Sequence, residues 1–304
     1  MTWYALDTWI VVVGVLSAVA CALPGCFLVL RKISMMGDAI THAVLPGIAI
    51  AFLVTGSRFS GIMFIGAVLS GLITAFLTGW VSKKGSVDQG ASMGIVFTVL
   101  FAVGLLIIEQ AADFVDLDPS CVLYGAIEFT PLELFWWGIP RAVWVLGSVV
   151  LLNLLFVTIF YKELLISSFD QNLANSLGIS SEKMLYYLMI VVAITTVATF
   201  EVVGSVIVVA MLIVPAGSAY LLTIKLSNML FLSIFLGIIG AILGHLLAVL
   251  IPPLMGLNGM STSGMIAVVL GLIFCIAWLG SICSKGLKPI RKKTFKIASK
   301  KFLG

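Results

Sequence analysis

The chain has 304 residues, of which 62% are hydrophobic and only 10% are charged, and its mean hydropathy is +1.24. A soluble globular domain carries about 25% charged residues, so this composition excludes an ordinary soluble protein and indicates an integral membrane protein. The first residues lack the basic flank of a secretory signal, so we expect no cleavage there. The five cysteines are scattered and show neither metal-site spacing nor a disulfide framework.

Nine segments of the chain are long and apolar enough to cross the ~30 Å hydrocarbon core of a membrane. They cover residues 8–30, 34–55, 61–81, 91–108, 143–161, 184–200, 203–222, 229–251 and 262–283. Only three residues separate the first two segments, which leaves eight spans with an inner N-terminus as the alternative. The sequence therefore predicts an all-α, polytopic integral membrane protein with eight to nine transmembrane helices.

Lysine and arginine are distributed unequally between the two sets of connecting segments. With nine spans and an outer N-terminus, fifteen of the seventeen fall on the inner side, and only Arg58 and Arg141 fall outside. Positive residues favour the cytoplasmic side of a membrane protein, so this pattern predicts a cytoplasmic C-terminus. The chain then comprises a transmembrane domain, residues 1–284, with a cytoplasmic loop at 162–183, and a basic cytoplasmic tail, residues 285–304. The outer loop between the fourth and fifth spans is instead acidic.

Asp38 and His42 lie four residues apart in the second apolar segment, a spacing that puts both on one face of a helix. Charged side chains inside membrane helices are costly, so they usually face a protein interior and have a function. A carboxylate oxygen and an imidazole nitrogen together suit zinc, manganese or iron, so we predict a site for a divalent metal ion here. Pro46 removes a helix hydrogen bond and Gly47 follows it, which predicts a kink or break just past the pair.

Two further positions stand out inside the later apolar segments. Pro215 predicts an interruption of the seventh segment near its middle. His245 lies within the eighth segment. It is interpreted either as a structural histidine bonded to a carbonyl of a neighbouring helix or as a metal ligand or proton relay.

The inner loop contains a stretch, residues 167–178, that begins with residues suited to an N-cap and ends with Gly178. It predicts a short helix on the cytoplasmic face. Phe169, Leu173 and Leu177 would form one apolar stripe on this helix. Such a stripe packs either on the protein's own inner ends or in a groove of a partner, and its spacing alone favours self-packing.

The sequence contains no motif for ATP hydrolysis that could drive active transport. Residues 85–92 have the glycine spacing of a phosphate-binding loop, but no lysine follows, and the stretch leads into a membrane helix. With only two histidines there is no His-Glu-x-x-His pair, and no nucleophile elbow occurs. An intramembrane enzyme is therefore disfavoured. ATP hydrolysis, if transport uses it, must take place on another chain.

The chain resembles the permease subunits of the zinc/manganese/iron ABC importers through nearly its whole length. The stretches that carry the resemblance are residues 37–47 (GDAITHAVLPG), residues 94–98 (GIVFT), Phe169-Asp170 with Ala174 and Gly178, and residues 203–216 (VGSVIVVAMLIVPA). Residues 116–118 and 121–125 look like the branch of the family that transports manganese or iron. His245 matches no family position and is kept as a further candidate metal residue.

The resemblance implies a pair of permease subunits, identical or paralogous, two cytoplasmic ATPase subunits and an external metal-binding protein in a bacterial cytoplasmic membrane. It also implies that Asp38 and His42 touch the metal in transit, so that two facing subunits supply four nitrogen and oxygen ligands. The metal ion is then the transported substrate, and no permanently bound cofactor is expected. The loop helix would couple transport to the ATPase, in place of self-packing, through Phe169, Asp170, Leu173, Ala174 and Gly178.

The main alternative is a self-contained secondary metal transporter or channel. Such a protein would need more acidic residues inside its spans and would show internal repeat symmetry. Only Asp38 lies clearly within a predicted span, while Glu109 and Glu201 lie at span ends. The residues accept zinc, manganese and iron alike, so the metal is left open.

Overall fold

The computed structural model describes residues 5–55, 60–111, 127–128, 130–132, 138–255 and 260–285. These residues form eleven α-helices and one 3-10 turn, Thr130–Leu132, and they contain no β-strand. In chain order the helices are α1 (Ala5–Leu30), α2 (Met36–Thr55), α3 (Ser60–Gly85), α4 (Gln89–Ala111), α5 (Arg141–Ile159), α6 (Tyr161–Phe169), α7 (Gln171–Ser176), α8 (Ser181–Val203), α9 (Ser205–Leu222), α10 (Leu226–Met255) and α11 (Thr262–Lys285). The basic tail after Lys285 and the stretches 116–118 and 121–125 lie outside the described residues.

Nine of the helices in the described part of the chain, all except the short α6 and α7, are long and apolar enough to cross a membrane. They correspond to the nine predicted segments, with ends that differ by a few residues. The first two segments are both complete helices, joined by a turn at residues 31–35. The predicted all-α, polytopic architecture is confirmed, with nine spans by length and composition.

The helices α1 and α8 form the centre of the bundle. α1 packs against α5, α8, α9 and α10, while α2 packs between α3 and α4 and also against α8. Asn153 Nδ2 on α5 donates hydrogen bonds to the Ala20 carbonyl on α1 at 2.8 Å and to Thr195 Oγ1 on α8 at 2.9 Å. Hydrogen bonds between membrane helices contribute about 0.6–2 kcal/mol each. This buried cluster therefore fixes the relative rotation of three central helices.

α2 runs as one helix through Pro46 and Gly47, so of the predicted kink or break the break is absent, and the kink stays a prediction. Pro46 offers no N–H to the carbonyl of His42, but one missing bond leaves the rest of the helix intact. Neighbouring helices approach closely at this point. A Cβ on Gly47 would overlap the backbone carbonyl of Gly66 on α3, and a Cβ on Gly104 of α4 would lie 2.8 Å from Pro46 Cδ. α2, α3 and α4 therefore pack closely together at Pro46 and Gly47.

α9 likewise continues through Pro215, so the interruption predicted there is also wrong. Pro215 is buried, and its Cγ would lie 3.7 Å from a Cβ added to Gly237 on α10. The chain direction changes earlier, at Gly204, whose φ of +86° separates α8 from α9. Glycine adopts this left-handed conformation without the steric cost of a Cβ.

Gly47→Ala is expected to destabilise the protein, although alanine normally stabilises a helix by roughly 1 kcal/mol relative to glycine. The new methyl group meets the Gly66 carbonyl, which cannot move without separating α2 from α3. We expect the thermal unfolding midpoint of the detergent-purified protein to fall by several degrees. The matched control is Gly271→Ala on α11, where the added methyl meets nothing within 4 Å in the described part of the chain. Equal midpoints for the two variants would contradict this packing role.

Ion pairs mark the two ends of the bundle. At one end, Lys83 in the last turn of α3 pairs with Glu182 at the start of α8. At the opposite end, Arg141 Nη2 at the start of α5 lies 3.1 Å from Glu201 Oε1 in the last turn of α8. We call the first of these ends the lysine-rich end, because the connections after α1, α3, α5 and α9, which contain or adjoin lysines, lie there. It is the end that the charge pattern predicts to be cytoplasmic.

Candidate functional site

Asp38 and His42 occupy the first two turns of α2, which begins at Met36 near the lysine-rich end. The pair lies inside a membrane-spanning helix, as predicted, but near its N-terminus rather than at its middle. A carboxylate in the first turn is stabilised by the helix dipole and by the free N–H groups there. Asp38 is therefore less costly in this position than it would be at the centre of the membrane.

The two side chains share one face of α2 and lie close together, which confirms the geometric part of the prediction. His42 Nε2 is 3.5 Å from Asp38 Oδ1, and the side chains are 31% and 36% exposed, respectively. Two ligands of a tetrahedral ion with bonds of about 2.1 Å lie about 3.4 Å apart. The pair can therefore contact one metal ion without a large rearrangement, and both groups remain accessible from outside the chain.

The imidazole of His42 is held by two aromatic rings of α4. Its centroid lies 5.8 Å from that of Phe97 and 5.7 Å from that of Phe101, the second pair being edge to face. These contacts restrict the orientation of the imidazole ring. Sequence reasoning assigned neither phenylalanine a role. Their four-residue spacing on one face of α4 is the signal that could have identified them.

The first turns of α2 are also fixed from the other side by neighbouring helices. Ser70 Oγ on α3 donates a hydrogen bond to the carbonyl of Ala43. A Cβ on Gly37 would lie 2.5 Å from Leu212 Cδ2 on α9, so α2 and α9 pack closely at this point. The position of the acid–histidine pair is therefore set by helix packing.

The described residues contain no cluster of three or more His, Cys, Asp or Glu side chains that could hold a metal ion. Zinc takes four ligands in most protein sites, and manganese and iron commonly take more. Asp38 and His42 would therefore contribute two ligands to a metal ion that completes its coordination elsewhere.

His245 lies at the end of the bundle opposite the pair and is not part of that site. It is 2% exposed, with Nε2 3.6 Å from Asp7 Oδ1 on α1 and Nδ1 3.4 Å from Thr262 Oγ1 on α11. Glu128 Oε1 accepts the N–H of Thr262 at 2.7 Å. The side chains of Asp7 and Thr262 therefore lie beside the two ring nitrogens of His245. This polar cluster joins α1, α10 and α11, and a metal-binding role for His245 stays a prediction.

The inner loop folds as two short helices, α6 and α7, where one helix was predicted. The N-cap of α7 is Asp170, whose Oδ1 accepts the N–H groups of Asn172 and Leu173 at 3.0 Å each. The serines at 167 and 168, which were predicted to begin the helix, lie inside α6. Gly178 follows α7 with a φ of +81°, as predicted for a glycine at a helix C-terminus.

The three residues of the predicted apolar stripe lie on the surface of the inner loop, but not on one helix as predicted, because Phe169 ends α6, Leu173 lies in α7 and Leu177 follows α7. Phe169, Leu173 and Leu177 are 48%, 50% and 58% exposed, whereas Ala174 beside them is fully buried. The self-packing favoured by spacing alone is therefore wrong for this chain. Large apolar side chains exposed within one short segment are typical of a contact site for another protein.

Arg31 connects the turn after α1 to α6. Its Nη2 donates a hydrogen bond to Ser167 Oγ at 2.6 Å, and its Nε donates to Ser168 Oγ at 3.2 Å. Burial lowers the pKa of Arg31 to about 10, so the guanidinium remains charged at neutral pH. Asp38 follows Arg31 by only seven residues. The loop helices are therefore joined directly to the turn that leads into the acid–histidine pair.

The chain belongs to the ABC 3 transport family, which residues 4–281 match. It is 43% identical over 281 residues to the manganese transport system membrane protein MntD of Bacillus subtilis, covering 91% of this chain and 92% of that protein. It is 39% identical over 275 residues to the zinc transport system membrane protein TroD of Treponema pallidum, covering 90% and 73%, respectively. It is also 32% identical over 289 residues to the chelated iron transport system membrane protein YfeD of Yersinia pestis, covering 93% and 86%.

The fold has a counterpart among solved structures. The chain matches PsaBC from Streptococcus pneumoniae, solved in complex with Fab, with a TM-score of 0.73 and 29% sequence identity. The match covers 90% of this chain and 91% of that chain. The resemblance inferred from residues 37–47, 94–98 and 203–216 is thus confirmed at the level of the family.

Proposed function

We propose that this chain is the membrane-spanning permease subunit of an ATP-driven importer for divalent manganese, zinc or iron. The observation that carries the proposal is the acid–imidazole pair in α2, with 3.5 Å between Asp38 Oδ1 and His42 Nε2 and both groups accessible from outside the chain. The named relatives belong to manganese, zinc and chelated-iron transport systems. The donor set suits all three metals.

Asp38 and His42 hold the metal ion during transit together with the corresponding pair of a second permease chain, identical or paralogous. Two chains that face each other supply two carboxylates and two imidazoles, which is enough to complete a four-ligand site. Asp38 offsets part of the ion's charge, and His42 contributes a neutral nitrogen in an orientation held by Phe97 and Phe101. When the chains move apart, each retains only two ligands. The ion is then bound weakly enough to leave, which transport requires.

The apolar stripe of the inner loop docks into a cytoplasmic ATPase subunit. Phe169 and Leu173, with Leu177, supply exposed apolar contacts, and Ala174 anchors the helix to the permease. Asp170 and Gly178 fix the two ends of the helix. The chain itself has no phosphate-binding loop, so ATP is hydrolysed on the partner and this subunit is not an enzyme.

The permease lies in the bacterial cytoplasmic membrane with its lysine-rich end inside. Residues 1–284 form the transmembrane domain, and the basic tail, residues 285–304, lies at the cytoplasmic surface, where anionic lipids attract lysine and arginine. An extracytoplasmic metal-binding protein delivers the ion to the opposite end, which carries Arg141, Glu201 and the His245 cluster.

Reconstitution into proteoliposomes tests this function. We expect radioactive manganese, zinc or iron to accumulate only when the ATPase chain, ATP and the external metal-binding protein are all supplied. Omission of the ATPase chain is the control. Accumulation by the permease alone, driven by a proton gradient, would contradict the importer and support a secondary transporter.

A further inference from the structure

A half-open cavity of about 800 Å³ lies on the side of the bundle at its lysine-rich end, and neither Asp38 nor His42 lines it. α1 contributes Leu23 to the cavity, and α5, α6 and α10 contribute the rest of its lining. The volume is within the roughly 300–1,000 Å³ typical of pockets for organic ligands. Most of the lining is apolar and includes Leu23, Leu154, Val157, Leu230, Phe231 and Ile234.

The polar lining residues gather where α5 ends and α10 begins. They are Thr158, Tyr161, Lys162, Glu163 and Ser227. Tyrosine and lysine at the end of a membrane helix are typical of the level of the lipid headgroups. The cavity is therefore amphipathic, with a charged end at the membrane surface and an apolar part that continues along the spans. Phe231, which is 76% exposed, forms part of its open side.

Glu163 carries an unmet hydrogen-bonding requirement. Its Oε2 is buried and has no hydrogen-bond partner among the residues that the structure describes. A buried polar oxygen without a donor is unfavourable. The terminal torsion of a glutamate is soft, so rotation can present either oxygen to the cavity. A ligand that fits this site must therefore bring a hydrogen-bond donor to Glu163 as well as an anionic group to the adjacent Lys162.

We propose that the cavity binds one phospholipid whose headgroup carries both a phosphate and a hydrogen-bond donor, the chemistry of phosphatidylethanolamine and phosphatidylglycerol. The Lys162 ammonium pairs with the phosphate, and Glu163 accepts a hydrogen bond from the headgroup amine or hydroxyl. An acyl chain fills the apolar part between α5 and α10. The Lys162 ammonium and the Glu163 carboxylate then both have a partner in one molecule, which the apolar face of a second permease copy would not provide.

Native mass spectrometry of the purified importer, titrated with lipids of identical acyl chains, tests the proposal. Phosphatidylcholine is the matched control, because it has the phosphate but no N–H or O–H donor. We expect one phosphatidylethanolamine per permease chain, retained about tenfold better than phosphatidylcholine, since the hydrogen bond to Glu163 is charge-assisted. A phosphatidylglycerol series distinguishes an amine donor from a hydroxyl donor. Preference for either lipid over phosphatidylcholine supports the site.

Variants of Glu163 and Lys162 test separately the contact with the headgroup donor and the contact with the phosphate. Glu163→Met, which keeps the length of the side chain but removes both acceptor oxygens, should remove the preference over phosphatidylcholine, while Lys162→Ala should weaken retention of every phospholipid. Lys84→Ala, an exposed lysine at the same end that does not line the cavity, should change neither. Equal retention of the lipids by the unmodified protein, or an unchanged preference in Glu163→Met, would overturn the proposal.

A cavity-filling change provides an independent readout. Leu154 lines the cavity from a half-exposed position, so Leu154→Trp should fill it with little effect on folding and should reduce retention of all the lipids. If Leu154→Trp instead altered the oligomeric state and left lipid retention unchanged, the cavity would be a contact between copies of the chain and the lipid site would be excluded.

Discussion

Asp38→Asn and His42→Ala are each expected to lower ATP-driven metal uptake by about a hundredfold or more. Asparagine keeps the shape of the side chain but loses the charge, and alanine removes the imidazole nitrogen. Changes to residues that only hydrogen-bond to a metal ligand already cost about 10–100-fold in affinity or activity, so loss of a ligand should cost at least as much. Uptake of radioactive metal into proteoliposomes measures the effect, and co-purification with the ATPase subunit measures assembly.

The control for this experiment is Asp88→Asn, the same chemical change in the turn before α4. Asp88 Oδ2 accepts the N–H of Gly90 at 3.0 Å, and asparagine can keep that hydrogen bond. We expect full uptake from this variant and normal assembly from all three. Uptake close to that of the unmodified protein in both Asp38→Asn and His42→Ala would exclude the pair as the transit site.

Leu173→Asp should reduce uptake by about tenfold or more without unfolding the permease. Leu173 is half exposed on α7, so an aspartate there remains hydrated in the isolated subunit. In an apolar docking groove the same carboxylate would be desolvated without a partner, which costs several kcal/mol. Uptake and metal-stimulated ATPase activity, measured on the same proteoliposomes, report the loss of coupling.

Asn172→Asp is the matched control for the docking prediction. It introduces the same side chain one residue away, at an exposed position outside the apolar stripe. We expect near-normal coupling from this variant, and also from Asp170→Asn, because asparagine retains the N-cap of α7. Full uptake and full ATPase stimulation in Leu173→Asp would refute the docking role of the stripe.

Much of the fold could be predicted because a membrane imposes a simple rule on sequence. A span needs about twenty apolar residues with every backbone group hydrogen-bonded inside the segment, so long apolar runs identify helices. The four-residue spacing of Asp38 and His42 similarly predicts a shared face, which the 3.5 Å separation between them confirms. These predictions depend only on local geometry along one helix.

The features that sequence reasoning missed depend on contacts between distant parts of the chain. Pro46 predicts a break by local rules, yet Gly66 and Gly104 allow α3 and α4 to pack closely around an uninterrupted α2. Phe97 could not be assigned to His42 without knowing how α4 packs on α2. The hydrogen bonds of Arg31 join residues more than 130 positions apart, and no periodicity in the sequence indicates them.

Arg31 provides a short connection between the inner loop and the start of α2. In the proposed importer, a displacement of α6 by the ATPase reaches Asp38 in the first turn of α2 through one guanidinium group and seven residues of backbone. This connection does not pass through Asn153 or through the interior of the central helices that Asn153 joins. In that importer, the first turns of α2, which carry Asp38 and His42, would move together with the inner loop, while Asp7 and His245 join α1 and α10 at the opposite end. Opening the two ends of the subunit in turn, as alternating access requires, would then need only a small rearrangement of the helices in its interior.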